Sequence, residues 1–290
     1  MDVFVAGGTG FVGRVLCREL DDRGHTVTAA SRSPDPSVLP ESVRTATLDV
    51  TEPDLTTHVE GFDAVVNLVA LPSHVQPRGR SHDDVHRQGT QHLVEACEEA
   101  GVRRFVQMSG LGVETDVRTA YFEAKRAAER IVRDANLEWV IYRPSVVFGD
   151  DCAFLPFVER LTAARIVPLP SGRGTRIQPM WVGDLAPMLA DGVEDDRHVG
   201  ECYALGGPET LTMAEVVRLV EPSAVVVSIP TVLARVAFTA AELLPGVPFG
   251  RDQYRVQHLD NTVSDDDVTV FDVSPSELRS LGEYLDGRAP

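Results

Sequence analysis

Short, unbroken apolar runs recur through the first half of the chain, separated by stretches with helical spacing. Residues 2–6 (DVFVA) form the first run; 26–30, 43–48, 64–69 (AVVNLV), 104–108 and 139–142 repeat it. Runs this short, bounded by turn residues, predict strands. Helices are predicted over about 11–22 and 119–135, with a further one, carrying Val85, Leu93, Val94 and Ala96, ahead of the 104–108 run. Strands that lack polar alternation bury both faces, and strands that alternate with helices pair in parallel through crossovers. The expected class is α/β: a doubly wound parallel sheet covered on both sides.

After Gly149 the pattern changes. Helices of about 8 to 15 residues alternate with short strands punctuated by proline. The chain therefore divides at 1–150 and 151–290, the second part a smaller α/β lobe over the carboxyl edge of the sheet, partly interleaved with the first. Residues 230–249 carry only Arg235 and Glu242 as charges, with Val232, Leu233, Val236, Ala240, Leu243 and Leu244 near helical spacing. They read as a core or lid helix. An apolar substrate pocket or a docking face for a membrane complex is the sharper alternative.

Charge narrows the partners. A net charge of -17 leaves few cationic stripes for nucleic acid or an anionic membrane surface. The acid excess, arginine in place of lysine and an aromatic content of 6% resemble halophilic archaeal proteins of a salt-loaded cytoplasm, an ordinary acidic protein being the alternative. No leader or transmembrane run is read at the N-terminus or elsewhere, so the expected location is cytoplasmic. Cys17, Cys97, Cys152 and Cys202 have no paired spacing and read as small buried hydrophobes, with no metal site expected. The acidic runs 194–196 and 265–267 read as solvated turns.

The loop Gly7-Gly8-Thr9-Gly10-Phe11-Val12-Gly13 lies between the first strand and the first helix. Gly7 permits a tight turn, Gly10 lets backbone approach a pyrophosphate, and Gly13 allows close helix packing. The helix N-terminus stabilises phosphate charge. A bare glycine turn shares this spacing, but the strand–loop–helix context points to a dinucleotide and a Rossmann-type sheet. The second strand ends Thr28-Ala29-Ala30-Ser31-Arg32-Ser33, where a ribose-binding acid would favour NAD. Ser31 and Arg32 instead suit a 2′-phosphate, so NADP (NADPH) is the preferred cofactor and NAD the alternative. Asp49 and Val50, after the third strand, are placed to contact the adenine; a helix cap is an equal reading of Asp49.

The chain holds a single lysine, Lys125, four residues after Tyr121. Arginine replaces lysine at most surfaces but not where a compact ammonium must stand near a phenol and a ribose. With the glycine loop, Asn67 and Ser109, this pair resembles the short-chain dehydrogenase/reductase superfamily. The stretches Val106-Gln107-Met108-Ser109-Gly110-Leu111-Gly112, Arg143-Pro144-Ser145-Val146-Val147-Phe148-Gly149 and Gln178-Pro179-Met180-Trp181-Val182-Gly183-Asp184-Leu185-Ala186 narrow the likeness. So do Leu205-Gly206-Gly207-Pro208, Asp252-Gln253 and Asp260-Asn261. They resemble the atypical or extended, epimerase/dehydratase-like branch that includes the nucleotide-binding accessory subunit of respiratory complex I.

The resemblance implies Tyr121 as general acid/base, Lys125 as ribose ligand that lowers the phenol's pKa, and Ser109 as their catalytic partner. It extends the cofactor contacts to Thr9, Phe11 and Val12, to Leu68, Val69 and Ala70, and to Pro144 and Val146. Two positions depart from the pattern. In epimerases of the branch the substrate-polarising hydroxyl sits further along, where Leu111 stands here, so Ser109 reads equally as a strand-end hydrogen bonder. His86 replaces a common asparagine and reads as a surface or capping residue, with proton relay as the alternative. Arg165, Arg173 and Arg176 fall where relatives contact a diphosphate, which would favour a nucleotide-sugar over a quinone or isoprenoid. The expected function is an NADP-dependent oxidoreductase or epimerase/dehydratase; the alternative is an accessory or assembly protein of a respiratory or quinone-biosynthesis complex, with little turnover.

The assignment of Arg32 makes a direct prediction. Arg32→Glu should weaken NADPH binding at least about tenfold more than NADH binding, measured by titration calorimetry, because it sets a carboxylate against a 2′-phosphate. Equal losses for both would overturn it.

Overall fold

The computed structural model describes residues 1–72, 79–163, 165–170, 174–230 and 259–287. Its centre is a seven-stranded, all-parallel sheet. The first six strands in chain order are β1 (Asp2–Ala6), β2 (Thr26–Ser31), β3 (Arg44–Thr47), β4 (Ala64–Asn67), β5 (Arg104–Met108) and β6 (Glu138–Pro144). Four short strands follow, β7 (Val147–Phe148), β8 (Ile166–Pro170), β9 (Arg176–Ile177) and β10 (Met180–Trp181), then β11 (Glu201–Leu205), β12 (Leu211–Thr212) and β13 (Val225–Ile229). The order across the sheet is β11-β6-β5-β4-β1-β2-β3. The chain reverses its winding between β1 and β4, and at such a switch point the loops at the carboxyl ends part to leave a crevice.

Helices cover both faces, as the unalternating strands require. Helix α1 (Phe11–Asp22) and a helix of the second half, Val182–Glu194, share one core with Val3, Val5, Val66 and Val106. Across the sheet, α2 (Thr56–Val59), α3 (Gly89–Ala100) and α4 (Ala120–Asp134) cover Phe4, Val65, Phe105 and Ile141. Among the described residues the remaining α-helices in chain order are α5 (Phe154–Thr162), α6 (the Val182–Glu194 helix), α7 (Met213–Val220) and α8 (Leu281–Asp286). A third core, around Phe148, Leu155, Val158 and Val217, lies mostly in the second half. That half also supplies β11, parallel to β6, and α6, packed on α1. Among the described residues no helix is long and apolar enough to cross a membrane.

Two local departures have identifiable causes. The 64–69 run stops as a strand at Asn67, whose Oδ1 accepts the Val69 N–H at 3.2 Å and so removes it from the ladder. The helix expected near residue 84 begins as a wide π-helical turn, Asp83–Gln88, closed by Gly89 N–H donating to Asp84 O, before tightening into α3. Gly89 is needed there, since a Cβ would stand 2.7 Å from Val50 Cγ2.

The acidic runs are bonded elements rather than merely solvated turns. Glu194 pairs with Arg23, Asp266 accepts from Gly206 and Val268 N–H, and Asp267 accepts from Ala204 N–H. Of the remaining expectations, residues 231–249, Arg173 and Asp252-Gln253 lie outside the described residues.

Packing of α1 on its loop sets a testable limit. A Cβ on Gly13 would fall 2.2 Å from Gly7 O and 2.7 Å from Gly8 Cα, both backbone atoms. Gly13→Ala should destabilise the fold by about 1–3 kcal/mol in urea titration. Gly282→Ala in α8, whose Cβ meets only Leu219 Cδ2 at 3.9 Å among other chain segments, should be neutral or stabilising by up to about 1 kcal/mol.

Candidate active site

The carboxyl ends of β1, β4, β5 and β6 converge on one crevice. At β1 the chain turns through Gly7 at φ +86°, a left-handed conformation that favours glycine, and a Cβ there would stand 3.1 Å from the Leu68 carbonyl carbon. Gly10 is the N-cap of α1 and offers no side-chain cap, and the first turn holds no acid. The N-terminal amides of a helix of 12 residues therefore face the crevice with the positive end of the helix dipole. This is a cradle suited to a pyrophosphate. Thr9 Oγ1 donates to Ser31 Oγ at 2.8 Å, which ties the loop to the end of β2, and Arg32 stands exposed beside them.

On the neighbouring side, Asp49 Oδ1 accepts from Thr51 N–H at 3.1 Å and from Arg80 Nη1 at 3.0 Å. The Arg80 guanidinium holds the carboxylate well below its usual range. Asp49 thus caps its turn and carries an ion pair at the same time. Leu68 and Val69 are half-buried after β4, Ala70 is exposed and Val50 is buried.

Helix α4 carries Tyr121 and Lys125, the side chains expected to act. Thr119 caps its N-terminus by accepting from Phe122 N–H, and Tyr121, Lys125 and Glu129 then follow at four-residue steps on one face. Lys125 is 3% exposed and its Nζ donates to Met108 O, at the end of β5, at 2.9 Å. Its ammonium lies 5.9 Å from the centre of the Tyr121 ring. A Cβ built on Gly110 would be 3.6 Å from the Tyr121 hydroxyl, so the phenol points at the loop after β5. Glu129 is 3% exposed and accepts from Arg143 Nε and Nη2 at 2.9 and 2.5 Å, anchoring the arginine that precedes Pro144.

Burial dominates the charges. It pushes the Tyr121 phenol up to about 12 and the Lys125 ammonium down to about 8, with Glu129 partly opposing the latter. It also pushes Glu129 upward, but Arg143 and the nearby Ser109 hydroxyl outweigh it and hold the carboxyl below its usual range. Surrounded by the protein's own groups, Tyr121 therefore keeps its proton at neutral pH.

Some expectations meet at one place and others do not. Tyr121, Lys125 and the loop from Pro144 to Val146 surround the same end of the sheet. Ser109 is buried and faces Glu129, without closing a hydrogen bond of good geometry to it or to Tyr121. Leu111, expected at the position where the branch places a hydroxyl, is also buried. His86 is not a surface residue. It is 2% exposed, its Nε2 lies 3.3 Å from both the N and the O of Leu71, and its ring meets Tyr121 edge-to-face at 5.4 Å. Burial, with Lys125 and His82 adding, pushes it down to about 2, so it stays neutral. Arg176 is taken up by Asp260 through Nε and Nη2 at 2.9 and 2.7 Å, and Arg165 is exposed at φ 56°.

The sequence reading missed His82 and the Glu129–Arg143 pair. His82 stacks on His86 at 5.7 Å and meets Tyr121 at 5.6 Å. Both were signalled by spacing: His82 lies four residues before His86, and Glu129 four after Lys125.

Fold and crevice together define a Rossmann-type dinucleotide-binding protein. The chain belongs to the NAD(P)H-binding family, which matches residues 7–152. It is 28% identical over 226 residues to NADH dehydrogenase [ubiquinone] 1 alpha subcomplex subunit 9, mitochondrial, of Arabidopsis thaliana. That match covers 74% of this chain but 56% of the plant subunit, little more than half its length. It is 29% identical over 252 residues to the 2-alkyl-3-oxoalkanoate reductase of Stenotrophomonas maltophilia, covering 75% of this chain and 74% of that one. In fold it resembles the NAD complex of UDP-glucose 4-epimerase from Thermus thermophilus, with a TM-score of 0.70, 20% identity and all of both chains covered.

The buried ammonium predicts an unusual stability profile. A lysine depressed from 10.5 to about 8 binds fewer protons folded than unfolded between those pH values, so its penalty is full at neutral pH and fades as pH rises through that window. Lys125→Met should therefore raise stability at pH 7 by about 1–3 kcal/mol, with the advantage shrinking towards pH 10 in urea titrations. A loss of stability that does not vary with pH would overturn this.

Proposed function

We propose that this chain is an NADP-dependent oxidoreductase that reduces, or oxidises to, a carbonyl on an uncharged and largely apolar substrate. The observation that carries the reading is Tyr121 with the buried Lys125 ammonium over its ring, at the end of the sheet that also bears the glycine cradle. NADP would bind with its pyrophosphate on the amides at Gly10 to Gly13 and its 2′-phosphate near Thr9, Ser31 and Arg32. Its nicotinamide half would lie by Lys125 and Pro144, and the bound cofactor would supply the hydride acceptor or donor. Tyr121 hydrogen-bonds the substrate oxygen and gives or takes the proton there. Lys125 holds the ribose, and its ammonium together with the positive charge of an oxidised nicotinamide favours the phenolate.

Two features support an apolar substrate over a nucleotide-sugar. Arg176 is neutralised by Asp260, and Leu111 is placed where the epimerase branch keeps a hydroxyl. The similarity to a protein named for reducing oxoalkanoates points the same way. The second reading, a nucleotide-binding accessory protein of a respiratory or quinone-linked complex, draws on the similarity to the plant subunit. It also draws on the turn of Ser109 towards Glu129, which leaves Tyr121 without a hydroxyl partner among the described residues.

A thermal-shift comparison in molar KCl tests the cofactor. NADPH at about 100 times its dissociation constant should stabilise the fold by about 2.7 kcal/mol, NADH at equal concentration by less. If neither stabilises it, the reading fails. NADPH oxidation is then followed with an oxoalkanoate, a steroid ketone, a quinone and a UDP-sugar. Tyr121→Phe should lower turnover at least about 100-fold with NADPH affinity kept within about twofold. Turnover undetectable in the unaltered protein, with NADPH still bound, would favour the accessory role.

A further inference from the structure

The ladder between β5 and β6 does not end where the strands do. Ser109 N–H donates to Tyr142 O at 2.7 Å and Leu111 N–H to Pro144 O at 3.1 Å, so two more bonds follow the last strand pair. The next rung would join Leu111 O to Val146 N–H. That backbone bond is not made: Val146 N–H goes to Asn261 instead, while Ser145 N–H continues the β6–β11 ladder to Leu205 O. The gap is filled from far along the chain by the side-chain amide of Asn261. Its Oδ1 accepts from Val146 N–H at 3.1 Å and from Ser145 Oγ at 2.6 Å, and its Nδ2 donates to Leu111 O at 3.4 Å. The amide's orientation is fixed by chemistry, since a backbone N–H can only donate and a carbonyl can only accept. Asn261 is itself held by its own backbone: N–H donates to Arg176 O at 2.7 Å, and O accepts from Gln178 N–H at 3.0 Å and Ser145 Oγ at 2.9 Å.

The two sides of this inserted rung are the two walls of the candidate site. Leu111 follows Gly110, which lines the Tyr121 hydroxyl, and Val146 closes the loop that begins at Pro144. Beyond the Leu111–Pro144 bond, the span between those walls is therefore set by one amide. We propose that Asn261 is a positioning residue that fixes the nicotinamide half of the site by spacing the β5 and β6 end loops. The proposal rests on the dinucleotide reading above and deepens it: the adenosine half, built on β1 and β2, owes nothing to Asn261.

The test separates the two halves of the ligand. NADPH and adenosine 2′,5′-bisphosphate, which lacks the nicotinamide half, are titrated calorimetrically into the full chain and into two variants. Asn261→Leu removes both hydrogen bonds of the rung. Asn261→Asp keeps the acceptor for Val146 but turns a second oxygen on Leu111 O, and it serves where the leucine variant does not fold. Each variant should bind NADPH about tenfold more weakly, while the bisphosphate stays within about twofold of the unaltered protein. A role in general stability would weaken both ligands alike. Equal losses, or no loss for NADPH, overturn the proposal while leaving the cofactor reading standing. If the unaltered chain binds neither ligand, the cofactor reading falls and the proposal with it.

Discussion

Lys125 places an ammonium at 3% exposure, where such a group ordinarily loses several kcal/mol of hydration. What stands around it can be understood as the response to that loss. The Met108 carbonyl gives it one acceptor, and Glu129 gives it a counter-charge one helical step away. Glu129 cannot be buried alone either, and Arg143 satisfies it with two hydrogen bonds. The chain from Lys125 to Glu129 to Arg143 then ends at Pro144, where β6 opens into the site loop. A charge buried at one sheet edge thus organises α4, β5 and β6 about a single point. The arrangement leaves the ammonium short of acceptors, which is why its pKa falls, and a ligand hydroxyl at that position would supply what the protein withholds.

The same burial explains the state of the tyrosine. A lysine is commonly invoked to bring a phenol towards neutrality, yet the protein's own groups shift both residues towards their uncharged forms. Desolvation wins over their mutual influence because the ammonium is spent on a carbonyl and sits over the ring face rather than at the hydroxyl. Neutral His86, edge-on to the ring, adds no charge that would favour a phenolate. Tyr121 thus holds its proton, and a phenolate there would need a positive charge brought in from outside the chain.

Much of this was legible in the sequence. Unalternating apolar runs gave the parallel sheet, and Gly7, Gly10 and Gly13 located its crevice, because strand burial and close helix approach are properties of neighbouring residues. Tyr121 and Lys125 were visible for the same reason: one helix turn fixes their relation. What stayed hidden depended on partners far along the chain. His86 reads as a surface residue until a π-helical turn and the Leu71 backbone bury it. Asp49 offered a cap or a ligand contact, and Arg80, 31 residues on, engages it as well. Ser109 could be placed at the end of β5, but only packing shows that it faces Glu129. Arg176 reads as a free cation until Asp260 arrives from 84 positions away.

That last distance bears on how the two halves of the chain relate. The second half is not simply laid over a finished sheet. It supplies β11 to the edge, α6 to one face, and through Asn261 a tie that reaches the end loops of β5 and β6. Parallel strands diverge at their carboxyl ends because sheet twist carries them apart, and the divergence that opens a crevice also loosens its walls. Backbone bonding cannot span the wider gap, whereas a side-chain amide carries a donor and an acceptor at about the right separation to do so. Placing that amide on the returning chain makes the spacing of the site depend on the docking of the second half. A crevice formed by the first half alone would keep the Leu111–Pro144 backbone bond and lack the amide that carries the joining of its walls one rung further.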